Sequence, residues 1–129
     1  MQNIKTVKDG QFNLHFETRN NYLFVRLTGE DSYEASRSYW RQIADRVRKL
    51  ELNRVLIHEA LDGGITEGEL FELIMEFVPA SAGIRVALYD ENKENHELNQ
   101  LGELIARNRG AEIRIFQSLE NAEKWISEN

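Results

Sequence analysis

Residues 53–69 read Asn-Arg-Val-Leu-Ile-His-Glu-Ala-Leu-Asp-Gly-Gly-Ile-Thr-Glu-Gly-Glu, and this stretch decides the fold. Its apolar run at 55–57 is typical of a strand that is covered on both faces. The two glycines predict a turn, and Thr66 with Glu69 fits a capping box at the start of a helix. A strand, a short turn and a helix in this order form the repeating unit of an open α/β sheet, which collects ligands at the carboxyl ends of its strands.

The rest of the chain alternates the same elements. Apolar and polar residues alternate over 11–17, a turn follows at 20–21, and a strand over 22–28 completes an N-terminal hairpin at about 11–28. Helical spacing covers 33–50, about 67–78, 96–108 and 119–127, and further strands cover 84–89 and 112–116. We therefore expect an α/β fold in the order β-β-α-β-α-β-α-β-α. Its mixed, largely parallel sheet has about five strands, with right-handed crossovers and helices on both faces.

Length and composition limit the class of protein. The chain has 129 residues, which predicts a single domain over 1–129. It contains no cysteine, so disulfides and thiolate metal sites are excluded, and a reducing cytoplasm is the expected location. No apolar run approaches the ~20 residues of a membrane span, and the N-terminus lacks a signal-peptide core. The formal net charge of −6 argues against a general affinity for nucleic acid.

Two further segments resemble a known family. Residues 25–30 read Val-Arg-Leu-Thr-Gly-Glu, and residues 115–126 read Ile-Phe-Gln-Ser-Leu-Glu-Asn-Ala-Glu-Lys-Trp-Ile. Together with the order of elements, they resemble the STAS domain of anti-sigma factor antagonists, more closely its SpoIIAA-like group. The resemblance extends from Tyr22 to the C-terminus. It implies the STAS fold and a regulatory module whose second helix and preceding turn contact a partner protein, a kinase in those antagonists.

The turn before that helix departs from the family pattern. STAS antagonists carry a phosphorylatable serine in a turn resembling Asp-Ser-Ser-Gly-Leu-Gly, whereas residues 61–66 read Leu-Asp-Gly-Gly-Ile-Thr and contain no serine. Thr66 is the only hydroxyl, and the capping box gives it a structural role. The alternative is a phosphate on Thr66, which Asp62, Glu67 and Glu69 would repel. We therefore expect a module without the usual phosphoserine switch.

The second helix carries an unusually wide apolar face. Its first stripe faces the core and consists of Leu70, Leu73, Ile74 and Phe77. Its second stripe is displaced around the helix axis and consists of Phe71, Met75 and Val78. One interpretation is a deeply buried helix. The other is an exposed patch that binds a protein partner, a second copy of the chain, or an acyl chain.

The predicted binding residues combine the turn with the second stripe. They are Asp62, Gly63, Gly64, Thr66, Phe71, Met75 and Val78. The first hypothesis is a non-enzymatic STAS-like module that binds a protein partner through residues 61–78 or associates with itself. The alternative is a carrier of a small apolar ligand or lipid, of the SpoIIAA-like or Sec14-like type, with the helix as a movable lid. Neither hypothesis requires a cofactor.

A third hypothesis is a hydrolase-like enzyme. The carboxyl ends of the expected parallel strands carry three polar groups, which are Glu30-Asp31-Ser32, His58-Glu59 with Asp62, and Tyr89-Asp90-Glu91. His58 near carboxylates such as Asp62 and Asp90 is a candidate general base. However, His58 and Glu59 face opposite sides of their strand, and no histidine pair has metal-ligand spacing. We therefore predict neither catalytic residues nor a metal site.

Overall fold

A computed structural model describes residues 4–128, without the side chains of residues 8 and 9. Within that range the chain forms one six-stranded sheet and four α-helices. The strands are β1 (Ile4–Asp9), β2 (Phe12–Arg19), β3 (Tyr22–Asp31), β4 (Arg54–Gly63), β5 (Arg85–Asp90) and β6 (Glu112–Phe116). The helices are α1 (Tyr33–Lys49), α2 (Glu67–Ala80), α3 (His96–Asn108) and α4 (Leu119–Ser127), with a 3-10 turn at Lys93–Asn95 before α3.

The strands lie side by side in chain order. Strands β1, β2 and β3 are antiparallel, and β3 to β6 are parallel. Helices α1, α2 and α3 connect β3, β4, β5 and β6, which follow one another in chain order across the sheet. Right-handed connections of this kind place all three helices on one face of the sheet. Helix α4 packs on the other face, against β4, β5 and β6. The predicted mixed, largely parallel α/β fold is confirmed, and both faces carry helices, in a three-to-one division.

The sheet has one strand more than the sequence predicted. Strand β1 pairs along the whole length of β2 at the edge of the sheet. Its apolar content is low, and Ile4 is 56% exposed. An edge strand is paired on one side only and buries little surface, so it lacks the alternating pattern that identified β2.

Strand β4 lies between β3 and β5 and is covered on both faces, as its apolar run predicts. Val55 and Ile57 face α1 within the larger core, and Leu56 faces α4 within the smaller one. All three are at most 1% exposed. Coverage from both sides explains why the run is continuously apolar instead of alternating.

Helix α2 lies above the sheet between its neighbours. Its main contacts are with α1 and α3 and not with the strands. The Glu76 carboxylate binds the guanidinium groups of Arg37 and Arg41 on α1, each at 3.1 Å. On the other side, a Cβ added to Gly102 of α3 would lie 3.4 Å from the Leu70 side chain, so α2 and α3 approach closely there. This placement leaves space between α2 and the sheet.

The predicted capping box at the start of α2 is present. The Glu69 backbone N–H donates to the Thr66 hydroxyl at 3.1 Å, and the Thr66 backbone N–H donates to the Glu69 carboxylate at 2.9 Å. Both side chains are thus engaged in satisfying free N–H groups of the first turn. None of the described helices is long and apolar enough to cross a membrane.

Candidate functional site

A cavity of about 150 Å³ lies beneath α2, partly open to solvent. Its wall follows β5 from Ile84 to Asp90, which spans about 20 Å at ~3.3 Å per residue. Most of the lining is apolar and includes Leu73, Ile74, Phe77, Val86, Leu88 and Ile113. An apolar cavity of roughly this volume holds benzene in an engineered protein. The space is therefore large enough for a small ligand.

Three acidic side chains from adjacent strands line the cavity. Asp31 ends β3, Glu59 lies on β4, and Asp90 ends β5. Glu59 and Asp90 are direct partners in the parallel ladder, so their side chains project from the same face of the sheet. The sheet therefore brings together acidic groups from three separate segments at its carboxyl edge.

The Asp31 carboxylate is held by hydrogen bonds from its own loop and from α1. The Ser36 hydroxyl donates at 2.8 Å, the Ser32 backbone N–H donates at 2.9 Å, and the Tyr39 hydroxyl donates at 3.3 Å. Burial raises the pKa of Asp31 above its usual value, while these hydrogen bonds act in the opposite direction. Three donors therefore orient this acid within a largely desolvated site.

The Asp90 carboxylate is held by amide donors. The Asn99 side chain donates at 2.9 Å, the Asn95 side chain at 3.2 Å, and the Asn92 backbone N–H at 2.9 Å. A Cβ added to Gly64 would lie 3.6 Å from the Asn95 side chain. The turn before α2 thus approaches the groups that position Asp90.

Glu59 is the acid whose protonation is most strongly altered. Its side chain lies in the cavity wall, and the residue is only 8% exposed. Burial, the charges of Asp90 and Asp31, and a hydrogen bond to Asp90 raise the pKa of Glu59 well above its usual value. The raised pKa favours the protonated form of Glu59, in which its carboxyl group donates to Asp90. Acids perturbed in this way inside a cleft are candidates for functional groups.

His58 belongs to a different network on the opposite face. An Arg26 guanidinium N–H lies 3.2 Å from the Nδ1 atom of His58, and the Glu91 carboxylate lies 2.6 Å from its Nε2 atom. The imidazole is buried, and both of its nitrogens have partners. His58 pairs with Tyr89 in the ladder, whereas Asp90 belongs to the Glu59 face. The structure therefore does not assemble the hydrolase-like site of His58, Asp62 and Asp90.

The predicted binding residues separate into three groups. Asp62, Gly63 and Thr66 are exposed in or beside the turn. Gly64 and Val78 line the cavity. Phe71 and Met75 lie on the outer surface of α2 and are 43% and 44% exposed, and the Arg109 guanidinium lies 5.4 Å from the centre of the Phe71 ring.

Sequence reasoning placed the three acids at one edge of the sheet but did not select them as a site. Glu59 carried a signal, because it occupies the same face of β4 as Val55, Ile57 and Leu61, which are all buried. A charged residue at an inward-facing position of a central strand is rarely buried without a specific reason. The Asn95 and Asn99 donors have helical spacing but follow no motif that identifies their acceptor.

A metal centre is not formed by the described acids. Across residues 4–128, no group of three or more His, Cys, Asp or Glu side chains is arranged to hold a metal ion.

Comparison with known proteins shows the fold alone. No protein-family model matches the chain, and no curated protein matches its sequence significantly. The NMR structure of the protein TM1081 is similar, with a TM-score of 0.53 and 12% sequence identity, over 88% of each chain. Identity this low carries no functional information. The chain therefore shares a mixed α/β fold with TM1081.

Proposed function

We propose that this protein is a non-enzymatic binding module that takes a small apolar ligand into the cavity beneath α2. The observation that carries the proposal is the cavity itself, about 150 Å³ with mainly apolar walls. A bound apolar group would gain van der Waals contacts with these walls and would remove apolar surface from water.

Helix α2 is suited to act as the cover of the cavity. Glycines with left-handed φ lie on both sides of it, Gly63 at +79° and Gly83 at +79°. Its ion pairs from Glu76 to Arg37 and Arg41 are largely solvent-exposed, and exposed pairs contribute only about 0–1 kcal/mol. These ion pairs therefore oppose an outward movement of α2 only weakly, which supports the role of a movable lid.

The resemblance to STAS domains supports a regulatory setting for this module. The capping box engages Thr66, and the turn contains no serine, so the proposed module acts without phosphoserine control. Ligand occupancy beneath α2 would take the place of that control.

Octanol is expected to bind in the cavity with saturable affinity. Titration of ¹⁵N-labelled protein should shift the amide resonances of cavity residues such as Val86 and Leu88, because these residues surround the ligand. Amides of the α4 face, such as that of Ala122, serve as the internal control. Native mass spectrometry of protein purified from its source cells should also detect a bound apolar species. Shifts that do not saturate, or that spread evenly over both faces, would contradict ligand binding.

A protein partner on the outer surface of α2 is the second candidate function. It is favoured by the exposure of Phe71 and Met75, which lie one helical turn apart on that helix. The turn that precedes this helix is also exposed at Asp62. Both functions are compatible, because a ligand beneath α2 would alter the position of the residues on its outer side.

The Phe71→Glu variant tests this second function. We expect it to reduce recovery of a specific partner at least tenfold, since burial of a phenylalanine contributes about 1.5–3 kcal/mol. Affinity pull-down from source-cell extract, compared with the wild-type protein, is the measurement. Leu104→Glu, at an exposed position of α3, is the matched control. An identical set of recovered proteins for Phe71→Glu and wild type would exclude this surface as the binding site.

A further inference from the structure

We infer that the ligand is an apolar alkyl amine, with its chain along the cavity and its ammonium group at Asp31, Glu59 and Asp90. This inference rests on the proposed function, since it names the chemical class that the same cavity selects. It is carried by the distribution of polar groups along the cavity wall.

The lining of the cavity contains acids but no cation, and of its acids Glu112 pairs with Arg85 outside the lining at 3.0 Å. Among its lining residues in the described chain, none is a lysine, arginine or histidine. Its acidic members are Asp31, Glu59, Asp90, Glu103 and Glu112. A buried carboxylate is normally paired with a cation or coordinates a metal. Here Asp31 and Asp90 are held by neutral donors only, so the site offers a negative counterpart to a cationic group of the ligand.

The same charge pattern disfavours binding of a fatty acid with its carboxylate at Asp31 and Asp90. A ligand carboxylate at this end would face Asp31 and Asp90 without a cation to compensate its charge. Like charges brought together in a poorly solvated site repel strongly. Among amphiphiles, the cavity thus disfavours acyl carboxylates and favours amines.

The shape of the cavity favours a chain. Its lining includes every second residue of the seven-residue stretch from Ile84 to Asp90, while its volume is only about 150 Å³. A narrow space along a strand fits an extended alkyl group better than a compact ring system. Each buried methylene should tighten binding about fourfold until the chain reaches the end of the cavity.

Binding of an amine is expected to release a proton from Glu59. The groups that face it are Asp31 from β3, Asp90 from β5, Tyr39 from α1 and Glu103 from α3, and α2 contributes no titratable group to the lining. An ammonium beside Glu59 stabilises its carboxylate form, which lowers its pKa. The protonated carboxyl and R–NH₃⁺ then give carboxylate and R–NH₃⁺ in contact, with one proton released to solvent.

Octylamine, octanol and octanoate separate these effects because they share one chain length. Isothermal titration calorimetry at pH 7 should give octylamine an affinity at least tenfold higher than that of octanol, and octanoate at least tenfold lower. Titrations in buffers of different ionisation enthalpy should detect proton release with octylamine and none with octanol. Glu59→Gln should abolish the proton release and reduce the ratio of octylamine affinity to octanol affinity at least threefold. Glu97→Gln, an exposed carboxyl on α3, is the matched control.

The possible outcomes of these titrations test the amine inference, the proposed binding function and the location of the head-group site separately. If octanol or octanoate binds as tightly as octylamine, the amine inference is wrong and the proposed apolar binding function stands. If none of the three compounds binds saturably, the proposed function itself fails. An amine preference that survives in both Glu59→Gln and Asp90→Asn would show that the three acids do not provide the head-group site; the second variant covers the case that the first folds poorly.

Discussion

The Ala106→Leu variant is expected to bind octanol at least tenfold more weakly than the wild-type protein. Ala106 is a buried residue of α3 and lines the cavity. A leucine side chain at this position fills part of a space of about 150 Å³ that the ligand requires. Because the added atoms enter a void and not a filled core, the melting temperature should be maintained or increased.

Titration of both proteins with octanol, together with thermal unfolding, measures these effects. Leu104→Phe adds volume to the exposed face of the same helix and should leave octanol affinity unchanged. Val86→Phe fills the cavity from β5 and provides an independent variant if Ala106→Leu lowers stability. Undiminished octanol affinity in both cavity variants would place the ligand elsewhere.

The second large effect is a decline of stability with rising pH that depends on Glu59. The pKa of Glu59 is raised in the folded state, so the folded protein retains a proton that the unfolded chain loses above about pH 4.5. The stabilising contribution is therefore complete below that pH and decreases as the pH rises through the folded-state pKa. Within this window each pH unit removes about 1.4 kcal/mol. Asp31, whose pKa is also raised, adds a decline in the same direction.

The Glu59→Gln variant should lack most of this decline. Glutamine is neutral at every pH and retains an N–H donor for Asp90. Urea unfolding from pH 5 to pH 8 should show the stability of the variant, relative to wild type, increasing with pH and then levelling at the folded-state pKa. The Glu97→Gln variant controls for the loss of one carboxyl group. A stability difference that is constant over this range would show that Glu59 is ionised in the folded protein.

Local patterns were sufficient to predict most elements of the fold. The apolar run 55–57, the alternation over 11–17 and the helical spacing in the later elements correspond to β4, β2 and the helices. The capping box at Thr66 is a local interaction between residues three apart, so the sequence displays both partners. Strand β1 could not be recognised because it is stabilised by pairing with β2 and buries few apolar side chains.

The candidate site could not be selected in the same way. Its acids are separated by about thirty residues at each step, from Asp31 to Glu59 to Asp90, and no local pattern relates them. The turn and stripe residues were proposed as one surface, but α2 directs Phe71 and Met75 outward and Val78 toward the cavity. The binding role of these seven residues therefore remains a prediction. The Phe71→Glu variant tests the outer side of α2, and the Ala106→Leu variant tests the cavity side.

The amino-acid sequence by itself determined the order of the elements after β1, the coverage of β4 on both faces and the cap of α2, because periodicity, apolar runs and capping depend on neighbouring residues. Only the tertiary structure decided that α2 lies on α1 and α3 above a cavity, and that Asp31, Glu59 and Asp90 meet there. Both results arise from long-range packing. Strand register sets which side chains share a face, and the separation between helix and sheet sets the space that remains for a ligand.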